Sequence, residues 1–157
     1  IEGVQKHIGI PEAQTGGYGK NYKIASSDIV KIAKIAKQDD IFIIYPKHAY
    51  HYVLFNQYNS IESKYFEAIK LLVNNTNAKV WSFYGANKIT IDSKNFDEDG
   101  WHFKPKIATL IFAKIFDDSN IKTPKDFGVL LTKENIYKEL KKISKNVDVY
   151  KQKNIFK

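Results

Sequence analysis

The residues best suited to chemistry in this sequence are Asp99 and His102, which lie in the stretch Asp-Gly-Trp-His. An acid three residues before a histidine can accept the imidazole Nδ1–H and fix the tautomer of the ring. The Nε2 atom is then free to take a proton from a nucleophile, which is the role of a general base. The alternative is a surface loop in which the acidic run Asp97, Glu98 and Asp99 precedes a histidine without any function.

Two further histidines and a tryptophan are candidates for binding roles. His48 follows an apolar run that ends at Pro46, so it can either orient a substrate or cap the end of a strand. We expect His51 at the surface, and Trp101 is either a loop-packing side chain or, if exposed, a platform for a sugar ring. A zinc site of His48, His51 and Asp99 lacks the well-spaced ligand set that zinc requires, and cysteine is absent. We therefore expect no metal and no cofactor.

The elements that would position these residues alternate between helix and strand patterns. Residues 1–23 carry most of the glycines and are expected to form an irregular connection. Residues 24–121 are expected to form the main α/β part, and 122–157 a helical tail packed on it. The predicted elements are a helix capped by Ser26 or Ser27, a strand over 41–45, a helix over 60–73, a strand over 79–84, a helix from Pro105 and a last helix from near Thr132, with the apolar stripe Ile136, Leu140, Ile143 and Val147.

This alternation favours an α/β fold in which helices cover both faces of a parallel sheet. We expect a three-layer, flavodoxin-like parallel sheet that is incomplete at its N-terminal side. Ligands in such sheets bind beyond the carboxyl ends of the strands. His48 follows the first predicted strand, Gly85-Ala86-Asn87 follows the second, and the loop with His102 comes next. All three candidates are therefore expected at one edge of the sheet.

The composition excludes several classes of protein. With 157 residues, of which 43% are hydrophobic, the chain can form one globular domain with its own core. The sequence contains no run of 18 apolar residues and no signal-peptide pattern. It starts at Ile1 and has no methionine, so we expect a processed product or a fragment.

The net charge of the chain is +8, and lysine supplies all of its basic side chains apart from histidine: the sequence contains 25 lysines and no arginine. Base readout in nucleic acids depends on the bidentate arginine fork, and these lysines are spread along the whole chain. We therefore expect no nucleic-acid partner and a solvated, lysine-rich surface. Its positive field would still attract anionic glycans or phosphate-bearing polymers.

Four ordered segments give the chain a resemblance to a known family. They are the apolar strand with its Pro-Lys-His ending over 41–49, the strand over 80–84, the Asp-x-x-His block over 99–105, and residues 126–136. Together they resemble the C-terminal part of an SGNH hydrolase-like domain, in the branch related to alginate and other polysaccharide O-acetyltransferases. One segment departs from the family, which often has an Asp-Phe pair where this chain has Ser82-Phe83.

The resemblance implies acyl transfer or ester hydrolysis on a cell-surface carbohydrate, by an O-acetyltransferase or an acetylesterase. It assigns the general base to His102 and the acid that orients the base to Asp99. The family's Gly-x-Asn block has a candidate in Gly19-Lys20-Asn21, which makes Asn21 a candidate oxyanion donor. The resemblance also implies a polysaccharide partner and favours the cell envelope or the periplasm.

The family's nucleophilic serine has no counterpart in this sequence. In the family it lies in a Gly-Asp-Ser-like turn after the first strand, whereas Ser26 and Ser27 have neither the glycine nor a full strand before them. We therefore expect that the nucleophile lies outside this chain, or that the chain is a degenerate member that binds a glycan or a protein without catalysis. An incomplete sheet would also leave an edge open to a missing N-terminal segment or to another chain.

Overall fold

The described part of the chain is a mixed α/β structure with five α-helices and three strands. A computed structural model describes residues 24–57 and 61–154, so the predicted connection over 1–23 lies outside the described residues. The elements are α1 (Ser26–Ile35), β1 (Ile41–Ile44), α2 (Ala49–Gln57), α3 (Ile61–Asn75), β2 (Lys79–Ser82), a short 3-10 helix (Ser93–Asn95), α4 (Pro105–Phe116), β3 (Val129–Leu131) and α5 (Ile136–Asn154). No helix in this part of the chain is long and apolar enough to cross a membrane.

The three strands form one sheet in the order β1-β2-β3, with β2 in the centre. β1 and β2 are parallel, with Ile41 opposite Lys79 and Ile44 opposite Ser82. The carboxyl ends of β1 and β2 therefore lie at the same edge, as expected for the candidate site. The prediction of an α/β chain is confirmed by this sheet and its helices.

The predicted parallel arrangement holds for β1 and β2, but the sheet as a whole is mixed, because β3, a strand that was not predicted, runs antiparallel to β2. The connection over 117–128 returns the chain to the end of β2 at which Ser82 lies, so Val129 pairs there and β3 runs back. Phe127 is fully buried, with its ring centroid 4.8 Å from that of Phe83, and Gly128 turns the chain with a φ of +82°. The region predicted as a helical tail, 122–157, therefore contains a loop and a strand before its helix.

Helices pack against both faces of the sheet. On one face, Phe42 and Ile44 join a hydrophobic cluster with residues of α2, α3 and α5. On the other face, Ile43 and Trp81 pack against a cluster that includes the buried side chain of Ile107 from α4. This alternation of neighbouring residues between two cores is what a strand with two buried faces requires.

The helix α2 was not predicted from the sequence. Its residues Ala49 to Phe55 are each at most 7% exposed, so the helix is buried on all sides. A helix of this kind has no polar face and therefore lacks the periodic pattern that marks a surface helix. The prediction that His51 lies at the surface is wrong, because α2 carries it into the interior, where it is 0% exposed.

The helix ends match the predicted signals in part. α1 has Ala25 at its N-cap and no side-chain cap, so the predicted caps Ser26 and Ser27 are wrong; both serines lie inside the first turn. Before α5, the hydroxyl of Thr132 accepts the backbone N–H of Asn135 at 3.3 Å, and the Asn135 side-chain oxygen accepts the N–H of Thr132 at 2.9 Å. This reciprocal pair caps the turn that leads into α5, as predicted for Thr132.

The packing of α5 gives a direct test of the fold. Leu140 is 4% exposed and belongs to the cluster beneath the sheet, so Leu140→Ala should lower the free energy of unfolding by roughly 2–5 kcal/mol. The neighbouring exposed variant Lys141→Ala should change it by no more than about 0.5 kcal/mol. Urea unfolding followed by tryptophan fluorescence measures both. Equal, small effects of the two variants would contradict the packing of α5 on the sheet.

Candidate functional site

Asp99 and His102 are in direct contact. The Nδ1 atom of His102 lies 2.5 Å from Oδ2 of Asp99. The other carboxylate oxygen, Oδ1, accepts the backbone N–H of Trp101 at 2.8 Å and that of His102 at 3.0 Å. One carboxylate therefore closes the turn between the two residues and also orients the imidazole. Because Nδ1 donates to the carboxylate, Nε2 is the ring atom that can accept a proton.

The pair is open to solvent. The side chain of His102 is 77% exposed and that of Asp99 is 44% exposed. Within residues 24–57 and 61–154, no group makes a hydrogen bond to Nε2 of His102. This atom is therefore accessible to a hydroxyl group that approaches from outside the described structure.

The hydrogen bonds to Asp99 favour its charged form. Partial burial alone would raise the pKa of the Asp99 carboxyl, but the bonds from the backbone and ring of His102 and from the backbone of Trp101 outweigh it. The pKa of Asp99 is therefore held below its ordinary value. Near neutral pH the group is a carboxylate that can stabilise a positive charge on the imidazole.

The loop that carries the pair is attached to the carboxyl end of β1. The backbone N–H of His48 donates to the carbonyl of Gly100 at 2.8 Å, and the next amide, that of Ala49, donates to the carbonyl of Thr90 at 2.7 Å. Thr90 belongs to the turn that follows β2, where its hydroxyl donates to the carbonyl of Gly85 at 2.6 Å. The segments after β1 and β2 and the loop with His102 therefore meet at one edge of the sheet.

His48 is buried at the start of α2. Its ring Nδ1 accepts the backbone N–H of Tyr50 at 3.3 Å, and the ring packs edge-on against Phe96. Burial lowers the pKa of His48 despite the nearby charge of Asp92 and a backbone hydrogen bond. The ring therefore accepts a backbone N–H of the first turn of α2, a helix-capping role that differs from both predicted roles, the substrate contact and the cap of a strand end.

His51 lies directly beneath the loop and was missed as a site residue. Its Nε2 atom is 2.9 Å from the carbonyl oxygen of Asp99, and its ring packs edge-on against Trp101 with centroids 4.7 Å apart. Burial lowers the pKa of His51 to about 4, so the ring is neutral at higher pH. The only sequence signal for its position is the aromatic-rich run around it, which has no polar stripe.

Trp101 is half-buried, and one face of its indole is covered. The Nζ atom of Lys47 lies 3.3 Å from the indole centroid, a cation–π arrangement, and 5.2 Å from the ring centroid of Phe55. Burial lowers the pKa of Lys47 to about 8. The covered face cannot serve as a platform for a sugar ring, so Trp101 packs the loop on that side.

An acidic hollow of about 550 Å³ borders the pair. Its lining consists of Phe96, Asp97, Glu98, Asp99 and Lys104, which brings three carboxylates and one amine to the surface beside His102. The negative potential of this lining disfavours an anionic group next to the imidazole. An uncharged group can therefore approach His102 more favourably than an anionic one.

The remaining candidates are located as follows. Asn21 lies outside the described residues. Over residues 24–57 and 61–154, no group of three or more histidine, cysteine, aspartate or glutamate side chains could hold a metal ion. No protein-family model, curated protein or solved structure matches the chain.

The lowered pKa of Asp99 predicts a pH dependence of stability. The folded state binds a proton at Asp99 more weakly than the unfolded state, so Asp99 stabilises the fold near neutral pH. This contribution is lost as the pH falls below about 4 and through the pKa of the folded state. We expect the difference in unfolding free energy between the wild type and Asp99→Asn to be largest at neutral pH and to shrink in acid. The variant Glu98→Gln, which removes an exposed carboxylate from the same loop, gives the background, and a pH-independent difference would contradict the role of the charge.

Proposed function

We propose that this chain supplies the acid–base part of a serine-dependent site for acyl transfer or ester hydrolysis on a cell-surface carbohydrate. The observation that carries the proposal is the 2.5 Å contact between His102 Nδ1 and Asp99, with Nε2 exposed at the carboxyl edge of the sheet. The Asp-x-x-His block and its resemblance to polysaccharide O-acetyltransferases of the SGNH hydrolase-like group support the reaction class and the substrate class.

In this proposal His102 acts as a general base and then as a general acid. Nε2 takes the proton of the serine hydroxyl while the serine oxygen attacks the acyl carbonyl carbon. Nε2 then gives that proton to the oxygen of the leaving group. In the second half, a sugar hydroxyl or a water molecule loses its proton to Nε2 while its oxygen attacks the acyl carbonyl carbon, and Nε2 then gives that proton to the serine oxygen as the acyl–serine bond breaks. Asp99 stabilises the imidazolium formed in each half, and Asn21 is the candidate donor to the oxyanion.

We also propose that the described residues are the C-terminal part of a larger three-layer, flavodoxin-like domain. Two observations support this arrangement: the parallel β1-β2 pair, and the helices packed against both faces of the sheet. Among the described strands, only β2 pairs with β1, so the other edge of β1 is open to an additional strand. A serine at the carboxyl end of such a strand would lie at the sheet edge that carries His102.

The decisive experiment measures turnover by the complete protein that contains this chain. His102→Ala should lower kcat for an acetylated oligosaccharide on the order of 10²- to 10⁴-fold, because the general base is lost. Asp99→Asn should lower it in the same direction, because the imidazole loses its orienting carboxylate. Glu67→Gln, which removes an exposed carboxylate of α3 outside the lining of the hollow, is the control for the charge change and should retain the wild-type rate.

Two results would contradict this proposal. Wild-type turnover by His102→Ala in the complete protein would remove the general base from the mechanism. An acetylesterase rate from the present chain alone, abolished by His102→Ala, would show that the nucleophile lies within this sequence and not outside it.

A non-catalytic binding module is the second candidate function, and a groove beside the carboxyl end of β2 favours it. A cavity of about 190 Å³ lies between the end of β2, the start of β3 and α5. Its lining includes Lys125 and Lys142, the carboxylates of Asp126 and Glu139, and the amide of Asn146. Glu139 lies 3.8 Å from the Nζ atom of Lys142, so Lys125 is the lysine of the lining that can bind a glycan carboxylate, and the amide can bind glycan hydroxyl groups.

The groove and the acid–base pair are tested separately. If the chain is a binding module, Lys125→Glu should weaken its affinity for polygalacturonate oligosaccharides several-fold, and added salt should weaken binding by the wild type. Lys34→Glu on α1 carries the same charge change outside the groove lining and should have little effect. Isothermal titration calorimetry measures both variants. Equal affinities of the two variants would exclude the groove as the binding site.

A further inference from the structure

The loop between the acid and the base contains a glycine, and the helix α2 fixes the chain on both sides of it. Gly100 lies between Asp99 and His102 with a φ of +66°. A glycine allows many backbone conformations, of which only some would bring the carboxylate to the imidazole. Before Gly100, the carbonyl of Asp99 is hydrogen-bonded to the ring of His51. After it, the carbonyl of Gly100 accepts the backbone N–H of His48.

The hydrogen bond from His51 has a defined direction. A carbonyl oxygen only accepts, so the Nε2 atom at 2.9 Å from the Asp99 oxygen must carry a proton. The ring is neutral at neutral pH and holds one proton, which leaves Nδ1 bare. Nδ1 is buried, and no described residue provides a hydrogen-bond partner for it. Leaving such an atom unpaired is unfavourable, so stability alone does not explain a histidine at this position.

The packing around His51 leaves the loop little freedom. A side chain at Gly100 would place its Cβ 3.0 Å from His51 Nε2 and 3.3 Å from His48 Cβ, so the glycine backbone lies directly on the two histidines. The indole of Trp101 also packs edge-on against the His51 ring. The ring therefore acts as a rigid donor, fully buried and held by its neighbours.

We infer that His51 is a positioning residue for the Asp99–His102 pair: its Nε2–H bond to the Asp99 carbonyl selects the Gly100 conformation in which the carboxylate meets His102 Nδ1. The catalytic meaning of this inference rests on the proposed function, whereas the positioning is a property of the folded chain. His51 does not touch a reacting atom, and its effect passes through Asp99.

The test reads the two histidine rings by ¹⁵N NMR of the full chain at neutral pH. In the wild type, the proton should lie on Nε2 of His51, and the neutral form of His102 should carry its proton mainly on Nδ1. Free histidine prefers the Nε2–H tautomer, so the Nδ1–H form of His102 reports the contact with Asp99. A His51 proton on Nδ1 would overturn the inference without any variant, and so would a His102 ring in the tautomer of free histidine.

Three variants separate positioning from stability. His51→Leu removes the donor and should shift His102 several-fold towards the Nε2–H tautomer, whereas His51→Gln places an amide donor near the same point and should keep the wild-type tautomer. Leu140→Ala removes a core side chain of α5 without removing the His51 donor and should leave the His102 tautomer unchanged. An unchanged tautomer in His51→Leu would overturn the inference, as would an equal shift in His51→Gln, because packing and not the donor would then be responsible.

The kinetic consequence is distinct from the test of the proposed function. In the complete protein, His51→Leu should lower kcat by roughly 10²-fold with little change in KM, because a misplaced base affects the chemical step. If the protein has no acyl-transfer or esterase activity, the proposed function fails, yet the NMR result still decides whether His51 positions the pair.

Discussion

Two neighbouring backbone amides, those of His48 and Ala49, hold the functional edge of this protein together. They belong to the start of α2, where the first N–H groups of a helix have no partner within the helix. Here they donate to the carbonyls of Gly100 and Thr90, which lie in two separate loops. Because α2 is buried on all sides, these donors have a fixed position. These hydrogen bonds therefore fix the positions of the Asp99–His102 loop and of the turn after β2 relative to the end of β1.

Because the neighbouring histidines are buried and neutral, His102 is the histidine that interacts with the Asp99 carboxylate. His48 and His51 lie close to the pair, and burial lowers the pKa of each ring, so both are neutral near pH 7. Neither ring then competes as an imidazolium for the Asp99 charge. His51 donates to the backbone carbonyl of Asp99, which leaves both carboxylate oxygens to the turn and to the His102 ring.

The sequence predicted contacts between residues close together in the chain, and it did not predict contacts between residues far apart in the chain. The contact of Asp99 with His102 depends on residues three positions apart, so the spacing alone predicted it. The contact of His51 with Asp99 spans 48 residues and depends on α2, whose all-round burial leaves no periodic pattern. β3 is three residues long and is held by its pairing with β2, so its own sequence contains too little information to indicate a strand.

The exposure of His102 sets a requirement on whatever completes the proposed site. An imidazole whose side chain is 77% exposed lies in a medium of high dielectric constant, where charge stabilisation by Asp99 is weaker than it would be in a site closed to water. Acyl transfer to a sugar also competes with transfer to water unless water is excluded from the acyl-enzyme. A segment that brought only a serine to Nε2 would therefore favour hydrolysis. A segment that also covered the acidic hollow would strengthen the Asp99–His102 interaction and favour transfer, so the extent of this cover decides between esterase and transferase chemistry.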